Sequence, residues 1–91
     1  MAASNGVKFG GFANGVLLDA KGLGYARFVK DGQFRSWWRG AGGFVEQAQR
    51  QLQAAGGTPI QWHFAEKAAA NATRGLFQSR GIGGVEVIFT P

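Results

Sequence analysis

Cysteine is absent from these 91 residues, which excludes a disulfide, a thiolate metal site and a cysteine nucleophile, and several enzyme classes with them. Acidic residues are scarce. Five Asp and Glu stand against ten Lys and Arg, for a formal charge of +5 and an isoelectric point near 10.5. That imbalance attracts polyanions and acidic proteins and says nothing about fold. No run approaches the roughly 18 apolar residues of a membrane span. No charged start followed by an apolar segment marks a signal peptide, so an exported domain is expected to travel by another route.

Glycine is abundant. The sixteen glycines have no collagen-like period and lie mostly between apolar segments, as turn punctuation. With 45% apolar residues, the length suits one small, loop-rich domain. Met1-Ala2-Ala3-Ser4 has no pattern, so residues 1–5 are read as a linker or non-native start and 6–91 as the domain.

Val7 to Phe12 and Gly15 to Lys21 read as strands joined through Ala13-Asn14-Gly15, because Asn-Gly between apolar runs favours a hairpin. Alternation along the second strand puts Leu17, Asp19 and Lys21 on one face and Val16, Leu18 and Ala20 on the other. From Tyr25 to Trp38 aromatics mix with Arg27, Lys30 and Arg35, and only a turn at Asp31-Gly32 is predicted. A helix is predicted over 43–55, with Phe44, Val45, Ala48, Leu52 and Ala55 on its apolar stripe and Gly56-Gly57 as its stop. Gln47 and Gln51 border that stripe, while Glu46 and Arg50 point away.

Residues 60–64 alternate as a strand with Ile60, Trp62 and Phe64 inward and Gln61 and His63 opposite. A second helix is predicted over 65–80, with Ala65, Ala68, Ala69, Ala72 and Leu76 on one side and Gly81 as its cap. A last strand covers 85–90. Helices alternating with strands imply crossovers and a mixed sheet flanked by helices, an α/β sandwich.

The residues that promise chemistry are Asp19-Ala20-Lys21. A carboxylate can hold a divalent cation, and a Lys on the same strand face can orient a water and balance charge on a phosphoryl transition state. Alone, an acid-x-Lys triplet is more readily an edge-strand ion pair.

The longer context is more specific. Val16-Leu17-Leu18-Asp19-Ala20-Lys21-Gly22, Gly24-Tyr25-Ala26, Trp38-Arg39-Gly40-Ala41, Val45-Glu46-Gln47-Ala48, Gly56-Gly57-Thr58-Pro59 and Trp62-His63 follow in order. The chain so read resembles the restriction-endonuclease-fold toxin domain of polymorphic and type VI secretion effectors, over nearly its whole length. Members look like PD-(D/E)xK nucleases, and the resemblance implies a metal-dependent, largely non-specific DNA endonuclease using Mg2+ or Mn2+. It makes Asp19 the metal-binding acid, in place of the more familiar Glu, and Lys21 the catalytic lysine. Gln47 and Glu46 fall where related nucleases carry a helix residue that supports the metal-bound water, and helical phase favours Gln47. It further implies delivery into the cytoplasm of a target bacterium and a cognate acidic immunity protein.

One departure stands out. Phe9-Gly10-Gly11-Phe12 occupies the place of an upstream Asp, so Gly10 falls at the other expected metal-ligand position. Three readings follow: an inactivated form, which is favoured; a ligand supplied by Asp31, Glu46, Glu66 or Glu86; or a displaced alignment. Lys8, Arg35, Arg39 and Arg50 are candidate phosphate contacts, and His63, the only histidine, a candidate phosphate ligand or acid. Of the three tryptophans, Trp37 is the one expected at the surface, where it could stack on a base. The rival reading is a basic module without catalysis that binds nucleic acid or an acidic protein.

Overall fold

The computed structural model describes residues 11–91. The expected linker over 1–5, Lys8, Gly10 and the expected start of a strand at Val7 therefore lie outside the described residues.

Strand β1 (Gly11–Ala13) pairs antiparallel with β2 (Val16–Lys21) across Asn14-Gly15. Both turn residues are left-handed, with φ of 53° and 76°, the backbone of the tight hairpin turn that Asn-Gly favours. The same device recurs at Asp31-Gly32, with φ of 53° and 79°. It joins β3 (Val29–Lys30) to β4 (Gln33–Phe34), after a single 3-10 turn over Ala26–Phe28. Residues 25–38 show no period because their aromatic rings pack on one another and on a helix. Phe28 stacks on Trp38 at 4.7 Å, and Tyr25, Phe34 and Trp38 all meet Phe44.

Helix α1 spans Gly40–Ala55 and so begins before the predicted Gly43. Its first turn, Gly40-Ala41-Gly42, carries little apolar signal, and a Cβ at position 40 would collide with the Trp38 indole. The helix ends at Gly56, whose φ of 59° is left-handed. Strand β5 occupies Ile60–Phe64, as alternation predicts. Helix α2 (Lys67–Ser79) starts after the predicted Ala65, whose N–H still extends the sheet by donating to the Lys21 carbonyl at 3.0 Å, and Glu66 is extended. Strand β6 covers Val85–Phe89.

The sheet order is β1-β2-β5-β6, antiparallel at β1 and parallel thereafter, which gives the expected mixed α/β architecture. Two successive crossovers of one hand, stepping the same way across the sheet, leave both helices on one face. Phe44 of α1 and Phe77 of α2 accordingly both pack against Trp62 of β5. Ile60, Trp62 and Phe64 are fully buried there, each contributing on the order of 1.5–3 kcal/mol. The α2 stripe is rotated from the predicted one: Ala69, Ala70, Ala72, Thr73 and Phe77 are buried while Ala68 is exposed, because Phe77 is the large ring the sheet can cover. Among the described residues no helix is long and apolar enough to cross a membrane.

Candidate active site

Alternation along β2 turns Leu17, Asp19 and Lys21 toward the helices, and all three are buried. The parallel register sets Asp19 beside Trp62 on β5. A carboxylate and an ammonium, each in a residue only 8% exposed, would be strongly destabilising without partners. The partners are supplied by α1. Residues four apart on a helix share a face, so Gln47 and Gln51 descend side by side onto the pair.

The Gln47 amide bridges the two charges, with Oε1 accepting from Lys21 Nζ at 2.7 Å and Nε2 donating to Asp19 Oδ2 at 3.0 Å. Gln51, fully buried, donates to the same Oδ2 at 2.7 Å and accepts from the Trp62 indole N–H at 2.7 Å. Indole nitrogen only donates, so the Gln51 amide can take only one orientation, and the chain Trp62 to Gln51 to Asp19 is directional. Lys21 Nζ lies 3.4 Å from Asp19 Oδ1 and above two rings, 4.4 Å from the Trp62 centroid and 5.3 Å from that of Phe44. Burial pushes the Lys21 ammonium below the ordinary lysine value, against the charge and hydrogen bond of Asp19, which raise it. Among the described residues no buried side-chain polar atom lacks a partner.

Of the candidates named from sequence, Asp19, Lys21 and Gln47 therefore meet at one place. Glu46 does not join them: it faces solvent, where it pairs with Arg50 at 3.6 Å. His63 lies on the opposite face of the sheet, its ring nitrogens engaged with Thr90 Oγ1 at 2.8 Å and Gln61 Oε1 at 3.0 Å. Arg35 and Arg39 line a cavity beside the start of α1. Gly10 and Lys8 are outside the described residues. Sequence reasoning left Gln51 at the border of its helix and counted Trp62 as core. Their signal was the spacing of Gln47 and Gln51 together with the register that sets Trp62 beside Asp19.

The donor set does not fit a divalent cation, which takes several oxygen ligands with carboxylates foremost. Among the described residues no cluster of metal-ligating side chains forms, and the first ten residues contain no Asp, Glu, His or Cys. The other acids are committed elsewhere. Glu66 Oε1 accepts the backbone N–H groups of Tyr25 and Ala26 at 2.8 and 3.0 Å, which hold its carboxyl below the usual glutamate range. Glu86 accepts from Gln61 on the far face, Glu46 pairs with Arg50, and Asp31 sits in its hairpin turn.

A family model described as restriction endonuclease fold toxin 5 matches residues 2–67, from the N-terminus to the first residue of α2, so the match stops short of the last helix and strand. Neither the curated proteins nor the solved structures compared with the chain gave a match.

Proposed function

Because the chain belongs to the restriction endonuclease fold toxin 5 family, we propose that it is the nuclease module of an antibacterial effector, hydrolysing phosphodiester bonds of DNA with little sequence preference. The observation that carries this reading is the meeting of Asp19, Lys21 and Gln47, an acid, a lysine and an amide from one strand and one helix. Lys21 is the group placed to balance charge on a phosphate, and Asp19 with Gln47 orients it. Phosphate contacts carry no base information, hence the absence of sequence preference. Dependence on Mg2+ or Mn2+ is proposed only for a chain with Asp at position 10, since the chain as written supplies a single carboxylate at this place.

The test is a gel of plasmid DNA and total RNA incubated with Mg2+ or Mn2+, with the parent chain and Gly10→Asp side by side. The parent is expected to cut poorly and Gly10→Asp to cut DNA at least a hundredfold faster, the gain removed by EDTA and by Lys21→Ala. Equal cutting by parent and Gly10→Asp would reject position 10 as a ligand. An acidic immunity protein is the expected partner, since a basic toxin surface is met quickly by a negative one. The product of an adjacent gene, added to the active variant, should stop cleavage. The second reading, a basic binding module, is favoured by the full engagement of Asp19 in internal bonds. Salt-sensitive binding without cleavage, even by Gly10→Asp, would select it.

A further inference from the structure

Three guanidinium groups that the sequence scatters come together in the fold. Arg35 follows β4, Arg39 caps α1 and Arg80 ends α2, and all three line one cavity of about 540 Å³ with Phe34, Trp38 and Leu76 as apolar lining. No carboxylate lines it. All five acids of the chain lie among the described residues, and none is paired with these arginines. A second hollow of about 500 Å³ continues the first, sharing Gln33, Phe34, Arg35 and Ser36 with it. It adds Lys30 and Trp37, with Asp31 as its one acid. Trp37 is 65% exposed, a large indole left in water in the same hollow as Lys30 and Arg35.

We propose that this groove, lined by Arg35, Arg39 and Arg80 with Trp37 at its rim, holds the backbone and a base of a polynucleotide strand away from the Asp19–Lys21 pair. Unpaired guanidinium groups match phosphates, and a flat exposed indole offers a base a stacking surface that acidic side chains cannot use. Two aromatic rings stand between the groove and the buried pair. Trp38 packs edge-on against Phe44 at 5.5 Å, and the Phe44 ring in turn lies 5.3 Å from Lys21 Nζ. Arg80 lies beyond residues 2–67, so the groove is completed by a part of the chain outside the family match. The inference rests on the polynucleotide reading above and not on cleavage.

The test is fluorescence anisotropy of a labelled single-stranded oligodeoxynucleotide in EDTA, titrated with the parent chain at several salt concentrations. Arg39→Gln/Arg80→Gln is compared with Lys67→Gln/Arg74→Gln, which removes the same charge from exposed sites that line neither hollow. The first pair is expected to weaken binding about tenfold and to reduce the log–log salt slope by about 1.4, two contacts of about 0.7 each. The second pair should lower affinity by about twofold at most. Trp37→Ala should weaken binding about fivefold or more with the slope unchanged. Equal losses in the two pairs would overturn the groove as a site, leaving only diffuse charge. So would unchanged oligonucleotide binding by Arg39→Gln/Arg80→Gln, and if polyglutamate binding fell instead, the groove would be assigned to an acidic polypeptide. Cleavage is not read in this assay, so its failure and a failure of the nuclease reading are told apart.

Discussion

Asp19→Ala is expected to lower the free energy of unfolding by about 3–5 kcal/mol, a large share of the roughly 5–15 kcal/mol a typical domain possesses. The loss follows from what the substitution leaves behind. Lys21 would remain beneath α1 with its ammonium uncompensated, and the amide donors of Gln47 and Gln51 would point at a methyl group. Asp19→Leu/Lys21→Met, which removes both charges, should recover a large part of that deficit despite having lost the ion pair. Urea unfolding followed by circular dichroism measures all three. An Asp19→Ala midpoint close to the parent's would show that Lys21 reaches water and that the pair is not buried in solution.

The pH dependence has a definite sign. Burial lowers the Lys21 value in the folded state, so between that value and the ordinary lysine value, about 10.4, the unfolded chain holds a proton the folded one has released. Stability contributed at this position therefore rises with pH through that window, and the penalty is fully present below it. Lys21→Met should abolish the rise.

Gln51→Glu is expected to cost about 2–4 kcal/mol at neutral pH and much less in acid. The indole N–H of Trp62 would keep its acceptor, but an oxygen would replace the nitrogen that now donates to Asp19 Oδ2 at 2.7 Å. Two carboxylates in contact cannot both ionise, so the folded state raises the value for the pair. The deficit is complete above the raised value and fades as the pH falls toward the unfolded carboxylate range. Gln51→Leu loses the same hydrogen bonds without adding a charge and should be destabilised evenly across pH. Identical pH profiles for the two variants would show that position 51 does not touch Asp19.

The hairpin turns and β5 were legible because their signals are local: Asn14-Gly15 and Asp31-Gly32 have backbone preferences, and Ile60 to Phe64 alternates without a break. The common face of Asp19 and Lys21 followed from strand geometry alone. Gln51 was harder to read, since a polar residue at the edge of an apolar stripe is normally solvated. Only the depth of Trp62 and the carboxylate beside it make full burial favourable. The segment from Tyr25 to Trp38 was opaque for another reason. Its rings satisfy one another across short turns, and such packing leaves no period in sequence. Arg80 joins Arg35 and Arg39 only through the docking of α2, which no local pattern records.

The three tryptophans stand at three depths: Trp37 is largely in water, Trp38 is half-covered, and Trp62 is sealed, with its N–H on Gln51 and the Lys21 ammonium 4.4 Å from its ring centroid. Light reads such a gradient directly. An ionic quencher dissolved in water dims Trp37 and leaves Trp62 alone, and indoles in dry surroundings emit at shorter wavelength than wet ones. Any lifting of α1 from the sheet would wet Trp62 and move its emission to the red. The Asp19–Lys21 cluster thus carries its own optical gauge, and whether it opens can be followed without attaching a label.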